Sequence, residues 1–215
     1  FPGARDVGQL WKNLRAGDCA ITQLPVDRPG YPSNWSASVA GWLPGVAEFD
    51  PRFFAISPKE AEQMDPRQRL LMQEMWRALE DAGVGERTLR SHRVGLFVGV
   101  ENGDYAYHLG HDEDLTGAND SVLAARLAYF LDLHGPVLAI NTACSSGLVA
   151  LHEARGSLER GECDIAVVAA ANILTHPRTI EAMSAAGMLS TTGSCRAFDR
   201  RADGMVPGEA VVALV

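Results

Sequence analysis

The chain has 215 residues, 47% of them hydrophobic and 21% charged, with a formal net charge of -8 at neutral pH. That balance excludes general disorder, and no run approaches the ~18 unbroken apolar residues of a membrane-spanning helix. The arginines are scattered among acids, which argues against a nucleic-acid surface, and Cys19, Cys144, Cys163 and Cys195 are too dispersed for a disulfide framework or a zinc ribbon. Phe1-Pro2-Gly3-Ala4 does not read as a signal peptide, so a reducing cytoplasm is the default location.

Asp6 to Ala16 predicts a short helix with Val7, Leu10, Trp11 and Leu14 on one face and Gly17 after its end. Leu24 to Pro51, rich in Pro, Gly, Ser and Trp, reads as a long surface excursion. Ser57-Pro58-Lys59-Glu60 is a capping-box start, and Leu70, Leu71, Met75, Trp76 and Leu79 carry a helix on to Gly83. Arg93 to Val100 predicts a buried strand, Ser121 to Leu133 a helix and Pro136 to Asn141 a strand. Ser145 to Arg160 reads as a helix, Asp164 to Ala171 as a strand, Pro177 to Ala186 as a helix, and Val211 to Val215 opens another strand.

Strands alternating with helices predict an α/β fold around a largely parallel, buried sheet. No repeat, low-complexity tract or domain boundary stands out. Because the sequence stops inside an apolar strand, it reads as a piece of something longer.

The chemistry concentrates in Asn141-Thr142-Ala143-Cys144-Ser145-Ser146-Gly147-Leu148. A strand runs into a tight turn that carries Cys144, and a helix follows. Free N–H groups and the helix dipole at such a terminus favour a thiolate and can hold an oxyanion. The competing reading is a buried structural thiol, the role left to the other three cysteines. An α/β-hydrolase elbow would want small residues, usually Gly, two positions either side of the nucleophile; Thr142 and Ser146 stand there.

The motif resembles the active-site cysteine signature of β-ketoacyl synthases, in particular ketosynthase domains of modular type I polyketide synthases. The resemblance runs through Phe49-Asp50-Pro51, Phe53 to Pro58, Met64-Asp65-Pro66, Gln68-Arg69-Leu70 and Glu80-Asp81-Ala82-Gly83. It continues in Arg126, Tyr129 to Leu133, Gly135-Pro136, Gly187 to Ser190, Cys195 to Asp199 and Ala202 to Glu209.

It implies a thiolase-like fold, layered α/β/α/β/α, of which residues 1–215 would be the N-terminal part, without the first strand and the C-terminal half. It also implies a homodimer that meets acyl carrier protein and other polyketide synthase domains, with neither nucleic acid nor membrane as partner. Cys144 would take an acyl chain as a thioester, and decarboxylative Claisen condensation with a malonyl-type extender would follow. The backbone N–H of Cys144 would serve as an oxyanion donor. Met183 and Met205 would line the acyl pocket, against a reading as ordinary core. No metal or dissociable cofactor is implied; the substrates ride on the carrier protein's phosphopantetheine.

Asn141 stands where the family more usually has Asp, and Ala210 where a second Gly often follows Gly208-Glu209. Ala210, with Met205-Val206-Pro207 and Tyr129 to Leu133, leans toward trans-acyltransferase systems. The family's two histidines lie in His-Gly-Thr-Gly-Thr and Asn-x-Gly-His motifs, and neither motif occurs in this sequence. His152 should lie ~12 Å along the helix from Cys144. His134 and His92 are expected at the far end of the sheet, and His176 either approaches the site or caps a helix. His108 and His111 with Asp112 to Asp114 read as a solvated loop, and Gly95, Gly99 and Gly103 do not form a dinucleotide fingerprint. The alternatives to elongation are a ketosynthase that only transacylates and a non-catalytic subunit resembling a chain-length factor.

Overall fold

The computed structural model describes residues 1–32, 35, 39–109 and 117–215. Its elements begin with α1 (Val7–Ala16), β1 (Thr22–Gln23), β2 (Val39–Ala40), α2 (Pro58–Gln63), α3 (Pro66–Asp81), α4 (Glu86–Ser91) and β3 (Val94–Gly99). There follow α5 (Ala106–Leu109), α6 (Asp120–Phe130), β4 (Val137–Ile140), α7 (Ser146–Glu159), β5 (Ile165–Asn172), α8 (Pro177–Ala185) and β6 (Ala210–Leu214).

The chain divides into two compact units, Phe1–Ala47 with Ile173–Ala210, and Glu48–Asn172 with Val211–Val215. The sequence showed no boundary because each unit is closed by a distant stretch of chain, so no single linker separates them.

The larger unit holds a four-stranded sheet in the order β4-β3-β5-β6, with β3 parallel to both β4 and β5. Side-chain alternation along β3 builds its layers. Val94, Leu96 and Val98 pack with Leu71, Met75, Leu123 and Leu127 of α3 and α6. Phe97 faces the other way, onto Ala150 and Ala154 of α7, with Cys163 and Val168. The sheet therefore lies between α3 and α6 on one side and α7 on the other. Burial is complete along β3 but fails at the edge strand β4, where Leu138 is 43% exposed. The outer face of α7 also shows Leu148, Leu151 and Leu158 to solvent.

The single helix expected over residues 57–83 is two. Ser57 caps α2, its Oγ accepting the Glu60 N–H at 3.2 Å. Met64 is then extended and Asp65 caps α3. Pro66 is the reason, since a proline disfavours helical backbone in the residue before it.

In the smaller unit α1 is stopped by Gly17 in the left-handed region, as expected, and Asp6 lies outside it as its cap; none of its residues is buried. The stretch 24–51 does more than run over the surface. β2 pairs antiparallel with β1, and Ala40 and Trp42 join Leu174 and Ile180 in this unit's core. Arg28 stacks over Trp42 and forms a buried ion pair with Glu209. Glu209 also accepts the Leu43 and Leu174 N–H groups at 2.7 and 2.8 Å. Burial pushes the Glu209 carboxyl above its ordinary range, against the pull of Arg28.

Candidate active site

β4 ends at Ile140 and α7 starts at Ser146, so five residues make the turn that carries Cys144. Polar side chains of that stretch and of Ser146, the first residue of α7, tie it. Ser146 Oγ accepts the Thr142 N–H at 2.9 Å and donates to the Ala143 carbonyl at 2.6 Å. Ser145 Oγ donates to the Thr142 carbonyl at 2.8 Å. Asn141 Oδ1 accepts the Ala143 N–H at 3.1 Å. Ala143 is left-handed, with φ of 55°, a conformation costing a non-glycine residue roughly 1–2 kcal/mol. These bonds use the N–H groups of Thr142 and Ala143, and none uses the N–H of Cys144.

Cys144 is exposed, which removes the buried structural reading for it. Cys163 is the buried thiol, while Cys19 and Cys195 are exposed and are not core residues either. A Cβ on Gly99 would lie 2.6 Å from the Gly147 nitrogen, so the first turn of α7 is seated against the end of β3. Glycine at 99 therefore serves helix–strand approach, not a phosphate loop.

The chain leaving β3 runs beside the turn. Val100 N–H donates to the Ile140 carbonyl at 2.9 Å, and Asn141 Nδ2 donates to Asn102 Oδ1 at 3.2 Å. Behind it, buried Arg67 donates to the Glu101 carbonyl and pairs with Asp65 and Asp120 at 2.8 and 3.0 Å. Burial works against the Arg67 charge, but the two carboxylates outweigh it and hold its pKa above the ordinary arginine range. A Cβ on Gly103 would come within 1.9 Å of Arg67 Nη2, so glycine leaves room for the guanidinium.

The family described as beta-ketoacyl synthase, N-terminal domain, matches residues 1–215. The chain belongs to that family. Its relatives are polyketide synthases. It is 51% identical to polyketide synthase ThaG of Burkholderia thailandensis over 99% of this chain and 4% of that one. It is 42% identical to polyketide synthase PksM of Bacillus subtilis over 100% of this chain and 5% of that one. Among solved structures it superposes with a TM-score of 0.89 on the ketosynthase from module 6 of the bacillaene synthase of Bacillus subtilis, at 42% identity, covering 99% of this chain and 36% of that one. An oxazolomycin ketosynthase domain of Streptomyces albus gives 0.89 at 39% identity, covering 99% and 39%. The fold is the thiolase-like fold of the ketosynthases.

Other residues singled out in this β-ketoacyl synthase sequence fall as follows. Met183, on α8, and Met205 are half-buried in the smaller unit, whereas Cys144 belongs to the larger. Their segments meet at Met188, whose N–H donates to the Met183 carbonyl at 3.0 Å and whose carbonyl accepts the Met205 N–H at 2.9 Å. His176 takes the capping role, its Nδ1 accepting the Arg178 N–H at 3.2 Å at the start of α8. His152 is exposed on α7. His92 closes α4, with Nδ1 3.0 Å from the Thr88 carbonyl, and His134 lies 3.6 Å from Asp132. The His108–His111 cluster runs into residues 110–116, outside the described residues. Sequence reasoning missed Asn102 and Arg67; the glycines at 99 and 103, four apart behind a strand, were the available signal.

Proposed function

We propose that the chain provides the acyl-accepting part of a ketosynthase that elongates polyketide chains. The Cys144 thiolate attacks the carbonyl carbon of an acyl group carried on phosphopantetheine. The tetrahedral oxyanion collapses, the carrier thiol leaves and takes a proton, and the acyl chain stays on Cys144 as a thioester. A malonyl-type extender then loses carbon dioxide. Its α-carbon attacks the thioester carbonyl, a carbon–carbon bond forms, and the Cys144 thiolate is released. The Cys144 N–H donates to the oxyanion.

The observation that carries this reading is an exposed cysteine on a strand–turn–helix junction in a chain 51% identical to a polyketide synthase. An accessible thiol at a helix N-terminus suits a nucleophile, and it disfavours a non-catalytic partner subunit. The partners in this reading are acyl carrier protein, neighbouring polyketide synthase domains and a second copy of the chain. Edge strand β4, with Leu138 and Ala139 exposed, supports the second copy. The leucines on the outer face of α7 suit a middle layer of the α/β/α/β/α arrangement. Among the described residues no helix is long and apolar enough to cross a membrane. A cytoplasmic location is part of this reading. Ala210, Met205-Val206-Pro207 and Tyr129 to Leu133 support a trans-acyltransferase system.

The test is transfer from an acyl carrier protein charged with a short acyl group. The chain should gain one acyl mass, and Cys144→Ala should gain none. Equal acylation of Cys144→Ala would overturn the reading.

A further inference from the structure

The turn that presents Cys144 is held from the neighbouring strand's loop by Asn102. Asn102 and Asn141 lie in loops that leave the same end of adjacent parallel strands, for Gly99 of β3 registers with Ile140 of β4. Their amides are 3.2 Å apart, Asn141 Nδ2 donating to Asn102 Oδ1. Chemistry fixes which way each amide points. The Ala143 N–H can only donate, so Asn141 must turn its oxygen to it, at 3.1 Å. That leaves the Asn141 NH2 facing Asn102, which must offer its own oxygen.

The residue so held, Ala143, is the left-handed residue immediately before Cys144. Strained backbone of this kind persists only where its surroundings hold it. Asn102 has firm footing on its other side, because the carbonyl of Glu101 accepts from Arg67, which Asp65 and Asp120 fix.

We propose that Asn102 and Asn141 are a positioning pair that sets the Ala143–Cys144 turn, so that the sulfur is presented at the start of α7. The inference rests on the reading of Cys144 as the nucleophile. Neither asparagine touches the reacting atoms. Their amide pair transmits the rigidity of the Arg67 anchor to the turn.

The geometry dictates which substitutions are tolerated. Asp at 141 keeps an oxygen for the Ala143 N–H, and Asn102 can rotate its amide to donate to the carboxylate. Asp at 102 keeps an acceptor for Asn141 Nδ2. Asp at both places sets two carboxylates against each other with no donor between them, and Ala at either place removes the link.

The experiment measures two rates on the full chain for the wild type, Asn141→Ala, Asn102→Ala, Asn141→Asp, Asn102→Asp and the double Asp variant. One is alkylation of Cys144 by iodoacetamide, resolved by peptide mass spectrometry with Cys19 and Cys195 as references. The other is acyl transfer from a short acyl thioester. Labelling of buried Cys163 reports any variant that has unfolded. Both Ala variants and the double Asp variant should slow roughly two- to tenfold at Cys144, the worth of one hydrogen bond, with Cys19 and Cys195 unchanged. Both single Asp variants should stay near wild type. That rescue and its loss in the double variant distinguish positioning from general damage. Ala variants at wild-type alkylation rate, or a double Asp variant equal to the singles, would overturn the pair. A wild type that is alkylated but never acylated at Cys144 would instead overturn the nucleophile reading, with the alkylation series still deciding the pair.

Discussion

Gly99 and Gly147 are in contact across the junction of β3 and α7: a Cβ on the first would lie 2.6 Å from the nitrogen of the second and 2.7 Å from its Cα. No side chain can intervene, so the helix that follows Cys144 is located by the backbone of the central strand. Gly99→Ala should push the first turn of α7 away and cost about 1–3 kcal/mol, the usual penalty for overpacking. Chemical denaturation gives the loss, and acylation of Cys144 should slow in the folded fraction. A variant of wild-type stability would show that the contact is not constraining.

Arg67 is a second point of failure. Its guanidinium is buried between Asp65 and Asp120 and holds the Glu101 carbonyl. Arg67→Met leaves buried carboxylate unpaired and should destabilise by about 3–5 kcal/mol. Arg67→Lys should recover only part of that, because an ammonium cannot reproduce the planar fork. Urea midpoints of the two variants check the ordering.

Arg28 and Glu209 make a comparable pair in the smaller unit, their side chains 2% and 0% exposed. Glu209→Ala alone should cost about 3–5 kcal/mol by stranding the arginine. The double replacement Arg28→Met with Glu209→Leu should cost less than the sum of the singles, since it removes both charges together. It will not be neutral, because the Leu43 and Leu174 N–H groups lose their acceptor. A double-mutant cycle by denaturation measures the coupling.

Asp203 supplies a pH signature. Hydrogen bonds from the Ser190 and Thr191 hydroxyls hold its carboxyl down at about 2. A depressed carboxyl stabilises the fold above its unfolded pKa of ~3.9, and that contribution is lost as pH falls toward the folded value. Asp203→Asn should therefore be less stable than wild type near pH ~6, with the gap closing between about pH 4 and 2. Parallel denaturation series across that range provide the check, and a gap that widens with acid would contradict the assignment.

Much of this fold can be read from one-dimensional pattern. The apolar run at 93–100 becomes the central strand, Ser57 starts a helix as its N-cap, and the turn at Cys144 joins strand to helix. Local chemistry settles such features. The rest depends on residues distant in sequence. The helix break at Asp65-Pro66 was visible as a proline but was masked by the apolar period on either side. The two units escaped notice because 1–47 closes onto 173–210. Exposure of β4 follows from strand order, which periodicity does not encode. At the candidate site, the strand–turn–helix junction that carries Cys144 was legible from the residues around it. Asn102 was not, because its partner is 39 positions away.

The central claim is that Cys144 accepts the acyl chain. Its most direct test is peptide-resolved mass spectrometry after incubation with a short acyl thioester. The adduct should fall on the peptide containing Cys144 and vanish in Cys144→Ala. An adduct on Cys19 or Cys195, or one that survives Cys144→Ala, would contradict the account.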